Sequence, residues 1–219
     1  MTLIDKIEKK IKITKYGYGI ISASLTASFI FLIFGLYYIF FPVLLFTFFS
    51  IYFFRDPERI IPDEENALVS PADGRVLGVE HLDESPYDGS ECIKVSIFMS
   101  VFNVHVNRVP FSGQIKEIKY FPGKFFNASF DKASSDNERN AVLFETHSKK
   151  TFWTVQIAGL IARRIVMFRE KGDIVEKGER FGMIKFGSRL ELYLPADSEI
   201  EVKNGNIVKA GSTIICKLN

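Results

Sequence analysis

MIKFGSRLELYLP, residues 183–195, reads as a β-strand with a fault in it. Leu190, Leu192 and Leu194 alternate with Arg189, Glu191 and Tyr193, the period of a chain whose successive side chains face opposite sides of a sheet. Gly187 and Ser188 interrupt the run near its middle, where glycine weakens strand pairing and has no side chain to pack. The alternation points to a β fold, and the interruption asks for a reason.

Outward from this stretch the same period recurs. "GRVLGVE" (74–80), "CIKVSIFM" (92–99), "QIKEIKYF" (114–121), "TFWTVQIAG" (151–159) and "RRIVMF" (163–168) are short apolar runs divided by turn residues, as in a mainly β domain. "FNASFDKASSDNERN" (126–140) is polar and rich in Asn, Ser and Asp, so it is expected to be a loop, of a length that often serves as a lid. "KGDIVEKGERFGMIKFGS" (171–188) spaces Gly172, Gly178, Gly182 and Gly187 like the hairpins of lipoyl- and biotinyl-carrying hybrid barrels. Lys185 lacks the neighbouring Met such carriers place beside the modified Lys.

The chain has 219 residues, enough for one domain with a real core and a membrane element. Its net charge of +2 comes from the N-terminal arm: MTLIDKIEKKIKITK (1–15) holds five Lys against Asp5 and Glu8. No basic stripe recurs downstream, which favours an anionic membrane surface over nucleic acid. From Ile20 to Phe54 there is no charged residue, and ten of the 22 Phe fall there. One helix of that length would span roughly 50 Å, against an apolar bilayer core of about 30 Å. Pro42 lies near the middle, and a break there would give a helical hairpin whose two ends share one side. The Lys before it and Arg55 and Arg59 after it put both ends on the cytoplasmic face of the cell membrane. The expected organisation is a basic arm (1–19), a hydrophobic helical hairpin (20–54) and a β-rich domain (55–219).

Cys92 and Cys216 are far apart and form no CxxC pair, so free thiols are expected. His81, His105 and His147 lack metal-ligand spacing, and no metal is expected. Gly-Ser pairs occur at 89, 187 and 211, but only Gly187-Ser188 lies between strand-like segments, and no GxSxG elbow surrounds it. A serine hydroxyl in such a place can attack the carbonyl of its own preceding residue. Glycine there removes the obstructing Cβ and tolerates the backbone strain. An N-to-O acyl shift followed by β-elimination would leave an N-terminal pyruvoyl group, a carbonyl that forms a Schiff base with an amine and accepts the electrons of a decarboxylation.

"FFRDPER" (53–59), "VSPADGRV" (69–76), "FMSVFNVHVNRVPFSG" (98–113), "DKASSDNERN" (131–140), "IAGLIARRI" (157–165) and "FGSR" (186–189) occur in the order found in the short branch of phosphatidylserine decarboxylases, which the chain resembles from Phe53 onward. The resemblance implies a mainly β (α+β), sandwich- or hybrid-barrel-like catalytic domain behind the hairpin. It also implies an enzyme that cuts itself into a β chain (1–187) and an α chain (188–219) and converts phosphatidylserine to phosphatidylethanolamine and CO₂. Gly187 would end the β chain, and Ser188 would become the pyruvoyl cofactor. Asp73 matches an acidic residue of self-cleavage, and His105 a histidine of decarboxylation. A second His three residues on, present in longer relatives, is Arg108 here, a candidate for the lipid head group. Dimers are common in the family.

Blander roles stand beside these. Asp73 before Gly74 suits a turn, His105 an ordinary strand, and Arg108 a surface ion pair. Two rivals share the anchor: a decarboxylase of archaeal-type, ether-linked serine phospholipid, and a non-enzymatic membrane-tethered adaptor that stays one chain.

Overall fold

The computed structural model describes residues 12–128, 133–160, 164–185 and 187–219, and the chain divides into two compact units, Met1–Glu58 and Arg59–Asn219. Most of the basic arm, residues 1–11, and part of the polar stretch, residues 129–132, lie outside the described residues.

The first unit contains β1 (Lys12–Ile13), α1 (Lys15–Ile33), α2 (Tyr37–Phe53) and β2 (Arg55–Asp56), with β1 antiparallel to β2. The expected hairpin is present, but it begins at Lys15 and turns seven residues before Pro42. Gly35, at φ +66°, supplies the left-handed residue that ends α1. Its N–H donates to Leu32 O and that of Leu36 to Phe31 O, so the last carbonyls of the helix are satisfied. Pro42 is the sixth residue of α2 and does not end the helix. The buried residues are mostly small or polar, Gly17, Ser24 and Ser28 in α1 and Thr47 and Ser50, beside Phe53, in α2, and Thr47 Oγ1 donates to Ser24 Oγ at 2.9 Å. Leu25, Phe29, Phe41, Leu45 and Phe48 point outward.

The second unit runs β3 (Ala67–Val69), β4 (Gly74–Leu82), β5 (Cys92–Met99), β6 (Val106–Arg108), β7 (Gly113–Phe121), α3 (Ala133–Asp136), β8 (Arg139–Thr146), β9 (Thr151–Ala158), β10 (Ile165–Met167), β11 (Ile174–Val175), β12 (Arg180–Ile184), β13 (Ser188–Pro195), β14 (Glu199–Ile200), β15 (Ile207–Val208) and β16 (Ile214–Lys217). Eight strands form an antiparallel sheet in the order β11-β7-β8-β9-β13-β5-β4-β15, and two three-stranded sheets, β10-β12-β6 and β14-β16-β3, complete the unit. The mainly β expectation holds. Two local readings change. β8 starts inside the polar stretch, and His105 precedes β6.

The opening stretch is two strands in two sheets. β12 ends at Ile184 in a three-stranded sheet, and β13 begins at Ser188 in the middle of the eight-stranded one. Gly187, at φ +66°, stands at the crossing. Along β13 the alternation does what it predicts. Leu190, Leu192 and Leu194 join Val95, Ile97, Ile115 and Phe144 in the main core, while Tyr193 packs on the opposite face with Trp153, Val155 and Ile157.

Phe181 of β12 meets the main sheet edge-on, its ring 5.9 Å from that of Phe144, which stacks on Phe152 at 5.3 Å. Phe181→Ala is expected to cost about 3–5 kcal/mol of stability, a buried aromatic being lost. Urea titration of the detergent-solubilised protein would measure it; a change below about 1 kcal/mol would contradict this packing.

Candidate active site

Ser188 opens the central strand. It pairs with Met99 of β5 on one side and Ala158 of β9 on the other, is fully buried, and donates its Oγ to Met99 Sδ at 3.3 Å. Thioether sulfur is a weak acceptor, so the hydroxyl can be redirected at small cost. Gly159 lies against the Gly187 carbonyl so tightly that a Cβ on it would stand 2.1 Å from the oxygen. Glycine is therefore required there for close approach.

His105 is fully buried beside this peptide. Its Nδ1 lies 2.9 Å from Asn103 O, and the Gly187 N–H points at its Nε2 at 3.3 Å. A carbonyl accepts and an N–H donates, so the two contacts select the neutral imidazole with the proton on Nδ1 and a lone pair on Nε2. Asn103 is itself fixed, its side-chain oxygen accepting from the N–H and Oγ of Ser100. The backbone carbonyl of His105 takes the N–H of Ile184, the last residue of β12.

Asp73 occupies the same end of the sheet. Arg75 and Arg189 both register with Phe98, which puts Asp73 two strands from Ser188, about 10 Å at ordinary strand spacing. Its carboxylate accepts from Arg59 Nη2 at 2.7 Å and from the Ala210 N–H at 2.8 Å. Arg108 is 5% exposed and donates Nη1 to Gly178 O at 2.8 Å, so the surface ion pair is excluded by its burial.

A cleft of about 280 Å³ opens onto Gly187, lined by Phe98, Ser100, Val101, Asn127, Ala128 and Leu160. Larger clefts, about 380 Å³ beside Trp153 and about 520 Å³ beside Phe111, include none of Gly187, Ser188 and His105 in their walls. Burial and then the nearby Arg164 pull the Lys185 ammonium, two residues from Gly187, below its usual range.

A family model described as phosphatidylserine decarboxylase matches residues 46–216. Relatives named phosphatidylserine decarboxylase proenzyme include one from Syntrophus aciditrophicus, 53% identical over 76% of this chain and 78% of the relative. Others are from Burkholderia cenocepacia (50%, 81% of this chain and 82% of the relative) and Desulfotalea psychrophila (49%, 80% and 82%). The chain belongs to the phosphatidylserine decarboxylase family.

Of the residues the family resemblance singled out, His105 meets the N–H of Gly187, the residue bonded to Ser188, Asp73 holds Arg59 at the same sheet end, and Arg108 braces the turn at Gly178. Residue-by-residue reading missed Met99, Asn103, Gly159 and Arg59. All four lie inside recognised motifs, but their roles depend on contacts made only in the folded chain. It also missed a charge cluster behind β13. Arg189 Nε lies 2.9 Å from Glu191 Oε1, and Glu191 accepts from Ser134 Oγ at 2.7 Å and Tyr193 OH at 2.9 Å. Arg189 Nη2 donates to Ser96 Oγ at 2.8 Å. Burial and then Glu191 push the Tyr193 phenol far above its usual range, so it stays a donor.

Arg189 and Glu191 are both essentially inaccessible to solvent. Glu191→Ala would leave a buried guanidinium without its carboxylate and is expected to cost about 3–5 kcal/mol. A thermal melt of wild type and variant at equal concentration would show it, and an unchanged midpoint would refute the cluster's structural weight.

Proposed function

We propose that this protein is a membrane-tethered proenzyme that cuts itself at Gly187-Ser188 and then decarboxylates phosphatidylserine to phosphatidylethanolamine. The observation that carries this reading is the imidazole of His105, lone pair forward, on the amide of Gly187. Arg108 cannot replace the family's second histidine as a base, because a guanidinium does not deprotonate in proteins. His105 therefore serves both stages.

In maturation Ser188 Oγ leaves Met99 Sδ, gives its proton to His105 Nε2 and attacks the Gly187 carbonyl carbon. The Gly187–Ser188 C–N bond breaks as the protonated imidazole returns the proton to the departing amine, leaving an ester. Removal of the Ser188 α-proton then breaks the Cβ–Oγ bond and releases Gly187 as a carboxylate. The dehydroalanine left on residue 188 tautomerises and hydrolyses, losing ammonia, to the pyruvoyl group. The buried Ser188, the cramped Gly187 carbonyl and the adjacent base fit that group's formation. Once formed, it supplies the carbonyl that accepts the electrons released with CO₂. His105 Nε2 then holds the proton delivered to the substrate's α-carbon, a placed acid being worth a factor of about 10² to 10⁴. Asp73, held by Arg59, is a positioning residue for the sheet end.

The hairpin supports the tether. Its first helix is long and apolar enough to cross a membrane, about 28 Å for 19 residues. Small and hydroxyl residues inside and large apolar residues outside suit a lipid solvent. Cations at both ends favour a cytoplasmic position for those ends. The working enzyme combines both chains of one precursor, and a homodimer of that pair is the assembly inferred.

Intact-mass measurement should find a β chain of 187 of the 219 residues, about 21 kDa of the 25.0 kDa total, and an α chain of about 4 kDa that reacts with hydroxylamine. Ser188→Ala should stay one inactive chain. His105→Ala should cut at least tenfold more slowly, and whatever fraction matures should lose about 10²-fold or more in decarboxylation. A wild-type protein that decarboxylates phosphatidylserine while uncut would end the pyruvoyl reading; one both uncut and inactive would favour the adaptor.

Gly159→Ala offers an independent check. Its methyl would collide with the Gly187 carbonyl, so self-cleavage in a time course should slow at least tenfold. Cutting at the wild-type rate would show that this contact does not position the carbonyl.

A further inference from the structure

Seven large apolar side chains are well exposed among the described residues of Arg59–Asn219; one of them, Leu160, lines the cleft at Gly187, and two more, Phe102 and Phe126, directly adjoin its wall residues Val101 and Asn127 in the chain. Phe102 is 63% exposed, Leu160 59% and Phe126 37%. Ile60, Tyr120, Ile174 and Ile207, the other four, neither line that cleft nor adjoin a wall residue in the chain. Scattered exposed apolar residues are ordinary, but a group around the mouth of a site marks a surface that meets something apolar. Each rim residue comes from a different segment. Phe102 tops the turn pinned by Asn103, Phe126 is held at both backbone groups by the Asn137 side chain, and Leu160 follows β9. These ties hold the apolar tips outward at defined points.

We propose that this rim, with the cations Lys124 and Arg164 beside it, enters the surface of an anionic lipid bilayer, so that the catalytic unit makes a membrane contact of its own, distinct from the hairpin. The inference rests on phosphatidylserine being the substrate. At about 280 Å³ the cleft is near the lower limit of a ligand pocket and takes a head group but not two acyl chains. With the head group at Gly187, the chains must leave across Phe102, Phe126 and Leu160. Those side chains then replace water around the emerging chains, and the lipid need not leave the bilayer to react. Charge selects the same occupant. The Lys124 ammonium stands 5.7 Å over the Phe126 ring, Arg164 is exposed, and Lys185 lies next to it, so the rim's cations face where anionic head groups would gather.

The test uses full-length protein reconstituted in vesicles whose lipids carry bromine near the head-group end of the acyl chains. The native Trp153 is 2% exposed and supplies a constant background. Phe102→Trp should add emission that is blue-shifted and at least half quenched in vesicles containing phosphatidylserine. Ile174→Trp, at a 76% exposed position away from the cleft, should remain unquenched. Unquenched, water-like emission from Phe102→Trp would overturn the proposal, as would equal quenching at both positions. Equal quenching in purely neutral vesicles would overturn its anionic part. Chain masses of the same samples report maturation separately, so loss of the decarboxylase reading would appear as an uncut chain and loss of the rim contact as an unquenched tryptophan.

Discussion

The left-handed backbone at Gly187 is the constraint on which the site depends. The chain must leave a small sheet at Ile184 and enter the centre of the large one at Ser188, and only three residues are available to turn it. A residue with a side chain resists φ near +66°, whereas glycine adopts it freely. That turn presses the Gly187 carbonyl against Gly159 and presents its N–H to His105. One conformational choice thus sets the carbonyl's position, the imidazole's tautomer and the burial of Ser188.

Alternation carried the reading of the large sheet, because strands packed on an apolar face must repeat with period two, and β5, β7, β9 and β13 do so clearly. It could not separate β12 from β13, since a corner between two sheets leaves the same local signature as a weak point in one strand. β8 was hidden because its first residues, Arg139 and Asn140, continue a polar, turn-like composition. The hairpin's turn was misplaced because Pro42 is the stronger sequence signal. Helix ends depend on who can adopt φ > 0, and Gly35 can. For the site, motif order found His105, Gly187 and Ser188. Met99, Asn103 and Gly159 lie in the same quoted motifs, but their contacts with Ser188, His105 and Gly187 form only in the folded chain.

The two units obey opposite rules of inside and outside. In Arg59–Asn219 the apolar residues are interior, and the buried charges Arg189 and Glu191 are enclosed by hydrogen bonds. In α1 and α2 the hydroxyls of Ser24, Ser28, Thr47 and Ser50 are interior, while Phe29, Phe41, Phe46 and Phe48 are exposed. A helix pair in water would gain by the reverse arrangement, because burial of apolar area drives association there. In lipid that drive vanishes, and close backbone approach with a hydroxyl bridge such as Thr47–Ser24 is what remains. The contrast lies in packing, which the uniformly apolar sequence from Ile20 to Phe54 does not reveal.

The position of the proposed cut also explains how the product stays assembled. Everything from Ser188 onward is woven into what precedes it: β13 lies between β5 and β9, β15 pairs with β4, and β16 with β3. Breaking the peptide bond removes none of these ladders. The two ends it creates have unequal fates. Gly187, at the cleft wall, would no longer be joined to β13. Residue 188 keeps its pairing to Met99 and Ala158, and its neighbour Arg189 stays bound to Glu191 and Ser96. A cut one strand-length later would leave a reactive terminus on a fraying edge. Placed at the head of the central strand, the proposed cut would leave its carbonyl on a strand paired along both edges, next to the peptide that meets the His105 imidazole.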